Sequence, residues 1–272
     1  MCRLLGFKTK TTRLLEKPLY YLLRASRYDP LIPGSPGGHN HGWGIAFYNS
    51  NNLFYYRSSN PMYTEPKMVE LIAGMSSSGH GIVHIRRAGP NEPLGLVHAH
   101  PYVAQVNDTI LFLAHNGGLF KEKLAGIVGY KGDLDKVTDT FLYFKLLISK
   151  VSETSHGNIV ESIISTVEEL VTRDLVKVKD ARGRIKDSTL NSLILVVGND
   201  GSRVFVLEDW EHISDERRRE YYAIYYSRYS DIVVAASSTI HKWLISEGFK
   251  TWKPRALLEK YVSEHKIRII EL

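Results

Sequence analysis

Met1-Cys2-Arg3-Leu4-Leu5-Gly6-Phe7 opens the chain and sets the only cysteine of 272 residues directly behind the first methionine. From Cys2 to Phe7 the residues read as a short buried strand. Removal of Met1 would leave a thiol and a free α-amine on one residue. These groups titrate near about 8.5 and about 8, so a single residue would supply nucleophile and base at neutral pH. A lone cysteine otherwise reads as a small buried hydrophobe. The choice between the two rests on residues further along.

Composition narrows the class first. The chain is 43% hydrophobic and 24% charged, with 35 Lys and Arg against 29 Asp and Glu for a net charge of +6. That is an ordinary globular balance, and the mild basic excess names no partner. A single cysteine excludes an internal disulfide and suits a reducing compartment. No run of 18 apolar residues and no signal-type apolar core follows the early basic residues, so a soluble, cytoplasmic protein without membrane span is expected.

Working outward from the first strand, Leu14 to Ala25 is a helix interrupted by Pro18 or an irregular cover, and Pro33-Gly34-Ser35-Pro36-Gly37-Gly38 is a loop. Trp43 to Tyr48, a turn at Asn49 to Asn52, and Leu53 to Arg57 form a hairpin. A helix over Pro66 to Met75 precedes strands at Gly81 to Arg86 and Thr109 to His115, the latter apolar enough to be covered on both faces. It stops at the turn Asn116-Gly117-Gly118. Leu134 to Lys150 and Ile159 to Thr172 carry apolar stripes at helical spacing. Beyond the polar segment Asp180 to Ser188, strands are expected at Ser192 to Val197, Arg203 to Leu207, Tyr221 to Tyr226 and Ile232 to Ala236. Short helices near Lys242 to Glu247 and Arg255 to Ser263 and a strand at Ile267 to Ile270 close the chain. Two batches of strands separated by long helices imply one α+β domain over residues 1–272, layered α/β/β/α around two stacked, mostly antiparallel sheets.

Four features besides Cys2 carry candidate chemistry: Arg86 at a strand end, His98-Ala99-His100-Pro101, Asn116-Gly117 at another strand end, and Thr138-Asp139-Thr140 at a helix start. Each alone has a structural explanation: a core ion pair, a hairpin turn, a helix N-terminal acid. Together with Met1-Cys2 and Gly6, Gly42-Trp43-Gly44-Ile45-Ala46, His84-Ile85-Arg86 and His115-Asn116-Gly117, they resemble the class II glutamine amidotransferases, a family of N-terminal-nucleophile (Ntn) hydrolases. The motifs span roughly residues 1–150.

The resemblance implies the Ntn sandwich and release of ammonia from the glutamine side chain through a Cys2 thioester. It assigns the Asn116 amide and the Gly117 N–H to the negative oxygen, Arg86 to the substrate α-carboxylate and Asp139 to its α-ammonium. Arg86 and Asp139 are also poor choices for a core without such a ligand. His100 is expected to line the substrate pocket and His98 to be structural. The chain departs from the large synthases at Ala88-Gly89-Pro90 and at Phe141. It is closer to small members without a synthase domain, including hydrolases of γ-glutamyl amides in larger conjugates. The expected partner is therefore glutamine or a γ-glutamyl compound, with a separate ammonia-accepting synthase subunit as a further option. A catalytically idle regulatory or RNA-binding module on the same fold remains the alternative from another class.

Three further signals are read as structural. His39-x-His41 and His98-x-His100 are possible metal pairs without a Cys or acidic neighbour, so no metal and no cofactor are expected. Arg217-Arg218-Arg219 with Tyr221, Tyr222, Tyr225 and Tyr226 interleaves basic and aromatic residues, but a charged turn before a half-buried strand explains it without nucleic acid. The Pro33 to Gly42 loop is either a lid over the site or a surface loop.

Overall fold

The computed structural model describes residues 2–34, 36–49, 52–75, 78–89, 92–154, 158–179 and 182–272. Met1, Ser35, residues 50 and 51 of the expected turn, Pro90 and Asp180 lie outside them. The strands are β1 (Arg3–Thr9), β2 (Trp43–Asn49), β3 (Asn52–Ser58), β4 (Gly79–Ile85), β5 (Tyr102–Val106), β6 (Thr109–His115), β7 (Lys177–Lys179), β8 (Ile185–Asp187), β9 (Ser192–Gly198), β10 (Gly201–Glu208), β11 (Ile224–Tyr229), β12 (Ile232–Ser237), β13 (Lys250–Thr251), β14 (Leu258–Val262) and β15 (His265–Glu271). The helices are α1 (Glu16–Arg27), α2 (Pro66–Gly74), α3 (Lys121–Ile127), α4 (Asp139–Glu153), α5 (Ile159–Thr172), α6 (Glu216–Tyr222) and α7 (Ser238–Ser246).

One sheet runs β13-β11-β12-β1-β4-β2-β3 and the other β14-β15-β10-β9-β6-β5, with every pairing antiparallel; β7 and β8 form a separate ribbon. Strand periodicity explains the layering. In β1, Leu5 and Phe7 join a core shared with α1, α2 and α7, whereas Leu4 joins Phe112, Leu193, Val204 and Ile270 between the sheets. Gly6 shares the Leu4 face, and a Cβ there would lie 3.1 Å from Leu193, so glycine lets the sheets approach. The outer face of the second sheet packs on α3, α4 and α5 through Leu142, Leu147, Ile163 and Val167. The result is the expected α/β/β/α stack.

Several boundaries differ from the sequence reading, each for a local reason. Pro18 falls in the first turn of α1, where its missing N–H is no loss. The helix expected from Leu134 starts at Asp139, because the Thr138 hydroxyl accepts from Phe141 N–H at 3.0 Å and caps it there; Leu134–Lys136 is a separate 3-10 turn. Tyr221 and Tyr222 end helix α6, capped by Asp215, rather than opening a strand. The helix expected over Arg255 to Ser263 contains β14, which pairs with β15 along alternating residues. Strand β5 and helix α3 were not anticipated.

Candidate active site

The same alternation that builds the core places the functional groups. Cys2 precedes β1 on the inter-sheet side of Leu4 and Gly6, and Asn116 follows β6 in the facing sheet. Their sequence separation is 114 residues, yet Cys2 N–H donates to Asn116 Oδ1 at 2.8 Å in a buried bond. Cys2 Sγ also lies 3.9 Å from the Arg87 carbonyl oxygen. Cys2, the Asn116 turn and the segment after β4 therefore meet at one point.

The Asn116 turn is fixed by its main chain: Asn116 N–H donates to Asn191 O at 2.9 Å, and Thr189 Oγ1 donates to Asn116 O at 2.7 Å. With Oδ1 engaged by Cys2, the NH2 end of the amide makes no hydrogen bond among the described residues and remains available as a donor. Gly117 N–H has no such bond either. A Cβ on Gly117 would lie 1.8 Å from Thr189 O, so only glycine fits this close approach. His115 supports the turn, with Nε2–H donating to Thr189 O at 3.0 Å; Nδ1 then accepts from Thr140 Oγ1 at 3.0 Å. Burial lowers its pKa, in keeping with a neutral ring.

Arg86 follows β4, and its main chain is clamped by the preceding loop: Arg86 N–H donates to Gly42 O at 2.8 Å and His41 N–H to Arg86 O at 3.0 Å. Its residue is 3% exposed, Nη1 is buried without a partner, and no carboxylate among the described residues pairs with it. A buried guanidinium left so is costly unless a ligand meets it. Asp139, the first residue of α4, is half-buried and likewise has no cation partner among the described residues. Its oxygens accept from Leu119 N–H at 2.8 Å and Thr140 N–H at 2.6 Å, which fixes the carboxylate beside the Gly117-Gly118 turn. Glu92 belongs to the same field and was missed in the sequence: it pairs with Lys121 at 3.1 Å, and its pKa is pushed up to about 7 by burial and then by the Asp139 charge.

His100 is buried beneath these groups, with Nδ1 3.1 Å from His84 Nε2 and its ring beside Tyr102, whose hydroxyl meets the Thr138 cap at 2.8 Å. Burial holds both histidines well below their usual range, so the pair is neutral. His98 is partly exposed.

Behind Cys2 lies a polar hub that sequence reasoning also missed. Arg3 points opposite to Cys2, into the helical layer, where it is fully buried. Its Nε donates to Asp29 Oδ2 at 2.5 Å, Nη1 to Tyr221 O at 2.7 Å and Nη2 to Thr239 Oγ1 at 2.6 Å. Its Cζ lies 3.8 Å from the centroid of the Tyr221 ring, and the Tyr221 hydroxyl donates to Cys2 O at 3.1 Å. His39 Nε2 is 3.0 Å from the same Asp29 oxygen. His39 thus has the acidic neighbour its local sequence lacked, but Arg3 already occupies that carboxylate. His41 Nδ1 accepts from Ala88 N–H at 2.8 Å. The described part of the 33–42 loop is tied to Ser26, Asp29 and Arg86. Tyr221, Tyr222 and Tyr226 are buried and present no faces for stacking bases. No helix of the described residues is long and apolar enough to cross a membrane.

A family model described as "Glutamine amidotransferases class-II" matches residues 1–224. Among solved structures, the chain is similar to the glutamine phosphoribosylpyrophosphate amidotransferase of B. subtilis complexed with ADP and GMP, at 15% identity over 93% of this chain and 45% of that one, with a TM-score of 0.58. It is also similar to a protein described as the allosteric regulatory enzyme of purine biosynthesis, at 15% identity over 93% and 44% of the two chains, with a TM-score of 0.59. A glutamine aminotransferase class-II domain protein from Silicibacter pomeroyi covers 93% of this chain and 92% of its own at 17% identity, with a TM-score of 0.47. No curated protein matches. The chain spans less than half the length of the first two structures, and at these identities they show the fold: the Ntn sandwich.

Proposed function

The chain belongs to the class II glutamine amidotransferases, and from that membership we propose that it is a glutaminase-type amidohydrolase with Cys2 as its N-terminal nucleophile. Residues 1–272 act as one amidotransferase domain in the cytoplasm. Once Met1 is removed, the Cys2 α-amine, through a water, takes the thiol proton as sulfur attacks the side-chain carbonyl of glutamine. The oxygen that becomes negative is met by the Asn116 Nδ2 and Gly117 N–H donors. Collapse breaks the C–N bond, ammonia leaves with the proton, and a thioester remains on Cys2. Water then releases glutamate and restores the thiol. Arg86 takes the substrate carboxylate as a two-pronged donor and Asp139 its ammonium. His100 lines the floor of the pocket with His84.

The observation that carries this reading is the 2.8 Å bond from Cys2 N–H to Asn116 Oδ1, because it brings the one residue able to supply both nucleophile and base beside the unpaired donors. A second reading, a γ-glutamyl amide in a larger conjugate, is favoured by Leu94, Leu96 and Val97, which are exposed in the segment between Glu92 and His100 and offer apolar surface to an extended leaving group. The test is release of glutamate and ammonia from glutamine and from γ-glutamyl amides by the wild type and Cys2→Ser. Turnover of either substrate class, lost in the variant, supports the proposal and chooses the substrate. Turnover of neither by protein with a free Cys2 amine contradicts it, and any ammonia-accepting synthase subunit would then have no donor.

A further inference from the structure

We propose that Asp209, His212 and His265 form a binding site for a divalent transition-metal ion behind the Asn116 turn. One donor atom from each lies within 4.8 Å of the others, and the side chains are 0%, 4% and 8% exposed. Asp209 Oδ1 is 2.8 Å from His265 Nδ1 and 3.1 Å from His212 Nδ1, with the two rings 3.9 Å apart.

The convergence of three buried donor atoms is what points to a cation, and His212 is held so as to present one of them. Its Nε2 lies 2.8 Å from Ser188 O. A carbonyl only accepts, so Nε2 carries the hydrogen and Nδ1 is the nitrogen turned towards Asp209 Oδ1, 3.1 Å away. A metal ion sits off the line joining its ligands. With bonds of about 2.0–2.1 Å, neighbouring donors lie about 3.0–3.4 Å apart, close to the separations here. The outer nitrogen of His212 also has an acceptor in Ser188 O, as metal-bound histidines do. Two imidazoles and a carboxylate form an N2O set that suits Zn2+ and its neighbours rather than Mg2+ or Ca2+.

Such an ion would brace the segment that carries the oxyanion donors. Asp209 Oδ2 accepts from Leu190 N–H at 3.1 Å and Asp209 N–H donates to Asn191 Oδ1 at 2.8 Å. Thr189 and Asn191 in turn hold the Asn116 main chain. The ion is structural, and its presence can be tested without assaying any reaction. Untagged protein is titrated with Co2+ while visible d–d bands are followed, then with Zn2+ by calorimetry. His212→Gln and His265→Asn are compared after circular dichroism has checked their folding. One equivalent bound by the wild type, at least about 10-fold weaker in a folded variant, with Zn2+ slowing amide exchange at residues 188–191, is the expected result. A Co2+ spectrum identical to that of the free aquo ion, or affinity unchanged in both variants, overturns the site and leaves Asp209 paired with the two histidines alone.

Discussion

Replacing Asn116 with alanine tests the oxyanion donor proposed for this turn. The main chain of residue 116 keeps its bonds to Asn191 and Thr189, so the turn should survive the substitution. Two things are lost: the free NH2 donor, and Oδ1 as the acceptor for Cys2 N–H. Loss of one oxyanion donor typically costs about 2.7–4 kcal/mol of transition-state stabilisation, and loss of a neutral hydrogen bond that places the amine about 0.5–1.5 kcal/mol. Together they predict a fall in kcat of about 10²–10⁴-fold, since about 1.4 kcal/mol is one decade. Asn116 touches neither Arg86 nor Asp139, so KM should stay within about threefold. The assay is initial-rate glutamate formation over a range of glutamine concentrations. Asn116→Asp, which keeps an acceptor for Cys2 but no donor, should be similarly slow. A fall in kcat of less than about fivefold, or a change confined to KM, would refute the assignment.

Other perturbations separate binding from stability. Arg86→Gln should lower kcat/KM by about 10- to 150-fold, the worth of a charge-assisted bond of about 1.5–3 kcal/mol. It should also raise the ligand-free melting temperature, because a buried, unpaired guanidinium is removed; a lower melting temperature would show that Arg86 has a structural partner. Asp29→Asn should reduce unfolding free energy by about 3–5 kcal/mol by stranding the buried Arg3, measured by urea denaturation. Burial lowers the His39 pKa to about 4 from an ordinary value near 6.5. The neutral ring is therefore favoured in the fold, and its stabilisation is intact above pH 6.5 and lost as pH falls from there towards about 4; His39→Gln should flatten that limb. Glu92, with its pKa near 7, gains charge as pH rises through that value and adds to the field of Asp139. KM for glutamine should accordingly fall between pH 6 and 8, and Glu92→Gln should abolish the trend; an unchanged KM profile in the variant removes Glu92 from substrate binding.

What was legible in the sequence follows from how local each signal is. Strands such as Thr109–His115 and helix Ile159–Thr172 declare themselves through uninterrupted apolar runs or stripes, and both have the bounds expected. Tyr221 and Tyr222 read as strand because aromatic residues favour sheets; the Asp215 cap outweighed that preference. Strand β14 was masked by Glu259 and Lys260, which suit a helix equally well and are exposed on the sheet edge. At the site, Cys2, Arg86, Asn116-Gly117 and Asp139 were visible because each sits at the end of a recognisable element. The Arg3 hub was not: its partners Asp29 and Tyr221 are 26 and 218 residues away, and no local pattern announces such a pairing. Asp209, His212 and His265 converge only through the pairing of β10 with β15.

The account depends most on a freed Cys2 acting as nucleophile inside a glutamine-shaped pocket. Intact-mass analysis of the purified protein before and after exposure to diazo-oxo-norleucine tests this directly. The account predicts a chain lacking Met1 that gains a single stoichiometric adduct, mapped to Cys2 by peptide sequencing and prevented by excess glutamine. A chain that retains Met1 and takes up no adduct would contradict it.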